Sequence, residues 1–259
     1  MGLFGKLFEK KVCAFCGGEI GLLGNRKLED GNMCKNCASK LSPFFSDRRN
    51  STVAEIGEQL EYREANKDAV AAFHTTLSLG NSTKILFDED AGKFIVTSER
   101  KLMEENPDVL DFSMVTGVDV DIDEECDEEM TEDKEGNEVS YKPPRYNYSY
   151  DFCVTIRVNH PYFDEIRFQL NDSSIVTTEN SGAVIAVRKP DPQRNMEYRE
   201  CLEMGNEIKE ILTTGRRKVR EEAAAAAAPK TAVKCPFCGA STIPDNSGCC
   251  EYCGAALNG

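Results

Sequence analysis

Four CxxC pairs constrain this chain more than any other feature. They are Cys13/Cys16, Cys34/Cys37, Cys235/Cys238 and Cys250/Cys253, two pairs near each end, leaving Cys126, Cys153, Cys201 and Cys249 as singles. Two residues between cysteines let both sulfurs reach one ion at ~2.3 Å, and pairs that come in twos supply the four thiolates of a tetrahedral site. A disulfide framework belongs to secreted chains. Nothing at the start of this one reads as a secretory leader, so the expectation is a cytoplasmic metalloprotein with its thiols reduced.

At the N-terminus the order is CAFC, seventeen residues, then CKNC. The intervening stretch holds Asp30-Gly31, which is expected to supply the positive-φ position of a hairpin turn. Cys34 and Cys37 precede Ala38, Lys40 and Leu41, so the second pair is expected to open a helix whose N-terminal amides stabilise thiolate charge. A treble-clef-like finger over residues 1–50 follows. The C-terminal module, residues 231–259, repeats one hexapeptide pattern, CPFCGA and CEYCGA, with eleven residues between Cys238 and Cys250. Gly239 and Gly254 permit the tight turn after each knuckle, as Gly17 does in the finger. Cys249 competes with Cys250, but only Cys250 stands at CxxC spacing from Cys253.

The ligands are therefore Cys13, Cys16, Cys34 and Cys37 for one ion and Cys235, Cys238, Cys250 and Cys253 for the other. Four thiolates saturate zinc and leave no position for a reactive water, so two structural Zn2+ ions are expected. Rubredoxin-type iron is the alternative on ligand type. A redox dithiol is set aside because its CxxC stands alone in an α/β fold. About thirty residues bury too little apolar surface to fold unaided, whereas zinc coordination contributes on the order of 10 kcal/mol, so chelation is expected to unfold both ends.

Between the ends the pattern changes twice. Thr52 and Glu55 form a capping box ahead of Val53, Ile56, Leu60, Val70 and Phe73, which predicts a connecting helix within residues 51–80. A period of two then takes over in residues 81–222: Ile85 to Phe87, Phe94 to Val96, the alternation of Val118, Val120 and Ile122 with aspartates, and Tyr148 to Val158. This is an antiparallel β domain with one buried face. Residues 119–139 carry twelve acids against one lysine, so −11 of the −14 net charge falls in what is expected to be an acidic loop. A helix from residue 194 to about 222 is expected to bury Met196, Leu202, Ile208, Ile211 and Leu212, weakened by Gly205 and Gly215. An alanine-rich linker, 223–230, leads to the last module. The fold class is α+β.

The N-terminal stretch CAFCGGEIGLLGNRKLEDGNMCKNC, continuing to KLSPFF, resembles an uncharacterised bacterial zinc-finger family of the domain-of-unknown-function class. The C-terminal CPFCGA and CEYCGA resemble the zinc ribbons appended to bacterial and archaeal cytosolic proteins. Each resemblance implies metal binding by the four cysteines it covers. The middle, strands followed by a helix, is similar in element order to bacterial pleckstrin-homology-like domains.

An enzyme would need a constellation, and the only histidines are His74 and His160. Neither stands in a motif, Cys153 lacks a neighbouring base, and no phosphate loop or HExxH is present. Asp119, Asp121 and Asp123 begin like a calcium loop, but Glu124 occupies the required glycine position and Met130 the closing glutamate. No apolar run reaches the ~20 residues of a membrane span. Lys6 stands where a myristoylation signal wants Ser or Thr. Residues 1–11 form at most an amphipathic turn with weak membrane contact. Residues 1–50 hold nine basic residues against five acids, so Arg26, Lys27, Lys35, Arg48 and Arg49 are the candidates for nucleic acid, which the net charge disfavours. The sequence supports a zinc-binding interaction or adaptor protein without catalytic activity whose partner is a protein.

Overall fold

The computed structural model describes residues 11–21, 23–178, 189–227, 232–245 and 248–257. Apart from Lys11, the amphipathic turn expected over residues 1–11 lies outside them. The chain divides into two units, Met1–Arg217 and Lys218–Gly259.

In the first unit, the finger begins with strand β1 (Lys11–Val12) paired to β2 (Glu19–Ile20), the CAFC knuckle filling the hairpin between them. Strands β3 (Asn25–Lys27) and β4 (Asn32–Cys34) make a second hairpin, and helix α1 (Lys35–Ala38) is a single turn starting at the second cysteine pair. Gly31 lies in the β3–β4 turn without a positive φ, which corrects the expectation for it. A Cβ there would stand 2.5 Å from Val53 Cγ2, so this glycine is needed for close approach to the next helix rather than for backbone freedom.

That helix, α2 (Val53–Ala72), starts at the expected cap. Thr52 Oγ1 accepts from the Glu55 amide at 3.3 Å and Glu55 Oε2 accepts from the Thr52 amide at 2.7 Å. Asp30 Oδ1 adds a cap from the finger, accepting from the Val53 amide at 2.7 Å. Apolar spacing misjudged the buried stripe. It runs Ile56, Gln59, Arg63, Asn66, Val70, at steps of three and four, and three of the five are polar.

Strands β5 (Leu77–Gly80), β6 (Lys84–Asp88), β7 (Lys93–Thr97) and β8 (Leu110–Asp111) form an antiparallel meander in chain order, with the helical turn α3 (Leu102–Glu105) between the last two. Ile85, Phe87, Phe94, Ile95 and Leu110 are fully buried in it. The second sheet is built on β10 (Glu138–Val158), which pairs with β9 (Val115–Glu132), β11 (Glu165–Gln169) and β12 (Ile175–Thr178). Tyr150, Phe152, Val154 and Ile156 alternate into the core as expected, continued by Ile166, Phe168 and Leu170.

The acidic stretch is not a loop. Residues 119–132 are strand, paired residue by residue with β10 except at a register shift between Ser140 and Arg145. The alternation that puts Val118, Val120 and Ile122 on one face puts Asp119, Asp121, Asp123, Glu125, Asp127 and Glu129 on the other. Arginines from neighbouring strands relieve the repulsion: Arg157 bonds Asp119, and Arg167 lies 3.5 Å from Asp123. The ribbon turns at Gly136, whose φ is +81°, where Asp133 Oδ1 accepts the Glu135 and Asn137 amides.

Helix α4 (Met196–Ala227) follows. Tyr198, Cys201, Ile208 and Leu212 are buried, whereas Met196, expected inside, is 67% exposed. At Gly205 and Gly215 α4 packs too closely for a side chain: a Cβ would lie 2.8 Å from Val120 Cγ1 at the first and 2.3 Å from Phe112 Cδ2 at the second. Their cost in helix propensity is the condition for that packing. The helix runs through Ala223 to Ala227, so this part of the expected linker is helical, in keeping with alanine's propensity. Among the described residues the sheets do not close into a barrel, and no helix is long and apolar enough to cross a membrane.

The second unit carries a two-strand ribbon, β13 (Val233–Lys234) and β14 (Ser241–Thr242), and a bridge between Cys249 and Ala256. The mixed helix-and-sheet class, the antiparallel sheets and the cysteine clusters at the two ends are those the sequence led to expect.

Candidate metal centres

Both expected cysteine quartets converge: in each, the four sulfurs lie within 4.8 Å of one another. Tetrahedral coordination at ~2.3 Å separates sulfurs by ~3.8 Å. Cys16 and Cys34 are 3.8 Å apart, Cys235 and Cys253 3.6 Å, Cys238 and Cys250 3.7 Å. The spacing fits a zinc-sized ion, and both groups are compatible with zinc.

Local backbone makes this geometry repeatable. The Cys13 amide donates to the Gly18 carbonyl and the Gly17 amide returns to Cys13, both at 2.9 Å. The same pair of bonds recurs from Cys235 to Ala240 and Gly239 back to Cys235, and from Cys250 to Ala255 and Gly254 back to Cys250. Each loop closes with a left-handed glycine, Gly17 at φ +68°, Gly239 at +73° and Gly254 at +70°. Three knuckles thus share one hydrogen-bond pattern. The fourth pair differs: Cys34 caps α1 and its sulfur accepts from the Cys37 amide at 3.4 Å, while the Cys34 amide donates to Cys13 Sγ at 3.3 Å.

These donors make charge uneven within each quartet. Burial resists ionisation of Cys13, but the amides of Cys16, Cys34 and Phe15 outweigh it and bring the pKa down to about 6. Burial and the adjoining sulfurs push Cys37 up to about 12. In the ribbon the Cys238 amide foremost brings Cys235 down to about 6. Cys253 is helped by the Ala255 amide, yet the neighbouring sulfurs and burial drive it up to about 12. A divalent cation, when bound, supplies the charge that lets all four sulfurs ionise together.

Residues 11–59 match the family model described as Domain of unknown function (DUF4428). No curated protein and no solved structure matches the chain. The match spans the four N-terminal ligands and continues into α2 as far as Gln59, so it takes in Asp30, Gly31 and the Val53 end of the helix they abut.

The remaining candidates are distributed as follows. Cys249 stands outside the ribbon quartet, its amide bonded to Asp245 Oδ1 at 2.8 Å. Arg26, Arg48 and Arg49 gather on the finger: burial, then the charges of Arg26 and Arg49, lower the Arg48 pKa, and Arg48 Nη1 donates to the Lys27 carbonyl at 2.6 Å. Lys35 is exposed in the first position of α1. Cys153 lies 3.9 Å from Asp123 Oδ2, and His160 shares a 2.9 Å hydrogen bond with the Tyr62 hydroxyl while stacking on Phe163.

Sequence reasoning missed the network that fastens the finger to the body. Arg63 Nη1 donates to Asp108 Oδ1 at 2.6 Å, Arg63 Nε to the Lys40 carbonyl at 3.1 Å, and Arg63 Nη2 to the Asn106 carbonyl. Ser42 Oγ donates to the other oxygen of Asp108 at 2.8 Å. Asn66 Nδ2 donates to the Pro107 carbonyl at 2.7 Å, and its Oδ1 accepts from the Val109 amide at 3.1 Å. Both members of the ion pair are buried, so Asp108 depends on Arg63 and Ser42 for its solvation. The available signal was the polar run Gln59, Arg63, Asn66 at helical spacing on the side of α2 that carries Ile56 and Val70.

Proposed function

We propose that this chain is a cytoplasmic, zinc-dependent interaction protein, without catalytic activity, in which two structural Zn(Cys)4 sites hold docking surfaces in shape. The supporting observation is in the ribbon. Phe237 and Tyr252 occupy the same position in the two knuckles, the residue before the second cysteine, and are 74% and 70% exposed. Exposed aromatics set on metal-fixed turns are rigid apolar anchors of the kind that dominate protein interfaces. Each quartet assigns all four tetrahedral positions to cysteine, which suits a scaffold role for the ion.

Affinity capture from the native cytoplasm tests this, using the zinc-loaded chain, the Phe237→Ser/Tyr252→Ser variant and a chain ending before residue 231. Partners recovered by the first and lost by the other two support the proposal. Identical recovery by all three refutes it. A second reading, local nucleic-acid binding, draws on the gathering of Arg26, Arg48 and Arg49. It predicts a gel shift that falls steeply with salt and is lost on charge reversal of those residues.

A further inference from the structure

A cavity of about 400 Å³ opens where the last segment of the finger, helix α2 and the β10–β11 turn meet. Its lining includes Phe45 and Asp47 from that segment, Glu55, Glu58 and Gln59 from α2, and Tyr162 from the turn. No lysine or arginine is among the described lining residues.

Gln59 decides what the cavity is for. It is 1% exposed, and neither its side-chain oxygen nor its nitrogen has a hydrogen-bond partner among the described residues. A buried amide left without both donor and acceptor partners is destabilising, and native proteins seldom keep one without a use. Gln59 itself lines the cavity. A carboxamide is complementary to a peptide group, giving one hydrogen bond and taking one. Around it stand carboxylates and two aromatic rings. Glu55 Oε2 serves the helix cap and Asp47 Oδ1 accepts from Asn50 at 2.6 Å, while Glu58 is exposed at the site. Burial, then the charges of Glu58 and Glu61, raise the Tyr162 pKa, so the negative field reaches the ring. Carboxylates together with aromatic faces select an organic cation.

We propose that this cavity receives an arginine of an extended segment of a partner protein. Its guanidinium is held by Glu58 and Asp47 against the rings of Phe45 and Tyr162, and one of its flanking peptide groups pairs with the Gln59 amide. The volume lies in the range that accommodates a residue-sized ligand. The inference shares with the proposed function only the premise of a protein partner. It involves none of the ribbon residues, so either can fail while the other stands.

The test is an NMR titration of the zinc-loaded full chain with N-acetyl-arginine-N′-methylamide. Saturable shifts of the Gln59 side-chain NH2 and the Tyr162 signals are expected, with a Kd of roughly 1–10 mM for so small a probe. The norleucine analogue and n-propylguanidine should each bind at least about tenfold more weakly, the first lacking charge and the second the peptide groups. Gln59→Leu should cost about tenfold in affinity while leaving the ligand-free thermal midpoint unchanged or higher, because it removes two unpartnered groups. Glu58→Gln, an exposed and structurally mild change, should weaken binding several-fold. The proposal is overturned by the lack of any saturable shift at those residues or by equal binding of the norleucine analogue. Equal binding of n-propylguanidine, which would assign the site to a small free cation, overturns it too, as does undiminished affinity in both variants.

Discussion

The two sulfur quartets have nearly the same geometry and very different surroundings. In the finger, Cys13 and Cys37 belong to a buried cluster with Leu28, Met33, Leu41 and Ile56, the last contributed by α2. In the ribbon, the buried residues described are Cys235, Cys250 and Thr242, and the large side chains Phe237, Ile243 and Tyr252 face outward. The finger has a core that includes its cysteine quartet, while the ribbon has a quartet in place of a core. Knuckle geometry is therefore set by the CxxCG backbone pattern in both, but the share of folding energy left to the ion differs. That share is where the comparison can be broken.

Chelation should produce the largest effect. The ribbon stands to lose about 10 kcal/mol of metal-derived stability and to unfold completely. In the finger, Leu28 and Met33 should keep measurable amide protection from their contacts with Ile56. Hydrogen exchange with mass spectrometry, comparing residues 23–45 with 232–257, reads the difference. Equal loss at both ends would mean that packing adds nothing to the finger.

Arg63→Ala comes next. It strands Asp108 in the interior and should cost the first unit about 3–5 kcal/mol, visible as a lower calorimetric midpoint with the ribbon's exchange unchanged. Pairing Arg63→Met with Asp108→Leu should recover most of the loss, since burying apolar groups avoids the desolvation that the charges require. Gly31→Ala should be milder, about 1–3 kcal/mol, because the added methyl meets Val53 at the finger–helix contact. Chemical denaturation measures it. The smallest stability effect belongs to Phe237→Ser with Tyr252→Ser, expected within about 0.5 kcal/mol because neither ring is packed. A larger loss in the ribbon's exchange protection would show that these aromatics serve the fold rather than a partner.

Legibility followed the range of the interaction. The capping box at Thr52 and Glu55 and the three left-handed glycines each involve residues within five positions of one another, and all were readable in advance. Strands in which apolar and polar residues alternate, such as Tyr148 to Val158, were readable too, because one face is buried and the other is not. The acidic stretch reads as irregular from its charge, since Glu124 and Glu128 interrupt the alternation of Val118 to Ile122, and only its pairing with β10 makes it strand. Hydrophobicity alone puts Met196 inside, and helix propensity alone makes Gly205 and Gly215 weak points, because nothing near them in the chain reveals Val120 or Phe112. Of the candidate basic patch, only the adjacency of Arg26 to Lys27 and of Arg48 to Arg49 is evident in the sequence. Arg26 joins them because Arg48 donates to the carbonyl of Lys27, the residue next to Arg26, across 21 positions of the chain.

The sequence by itself determined the two cysteine quartets, the knuckle turns and the alternation of the sheets, since thiolate chemistry and backbone conformation act over a handful of bonds. The tertiary structure alone decided that Gln59, Arg63 and Asn66 are interior, that Asp108 pairs with Arg63 and Val109 with Asn66 across forty-odd residues, and that Gly31, Gly205 and Gly215 must lack side chains. The reason is that burial belongs to the surface a residue meets, and distant segments of the chain bring that surface.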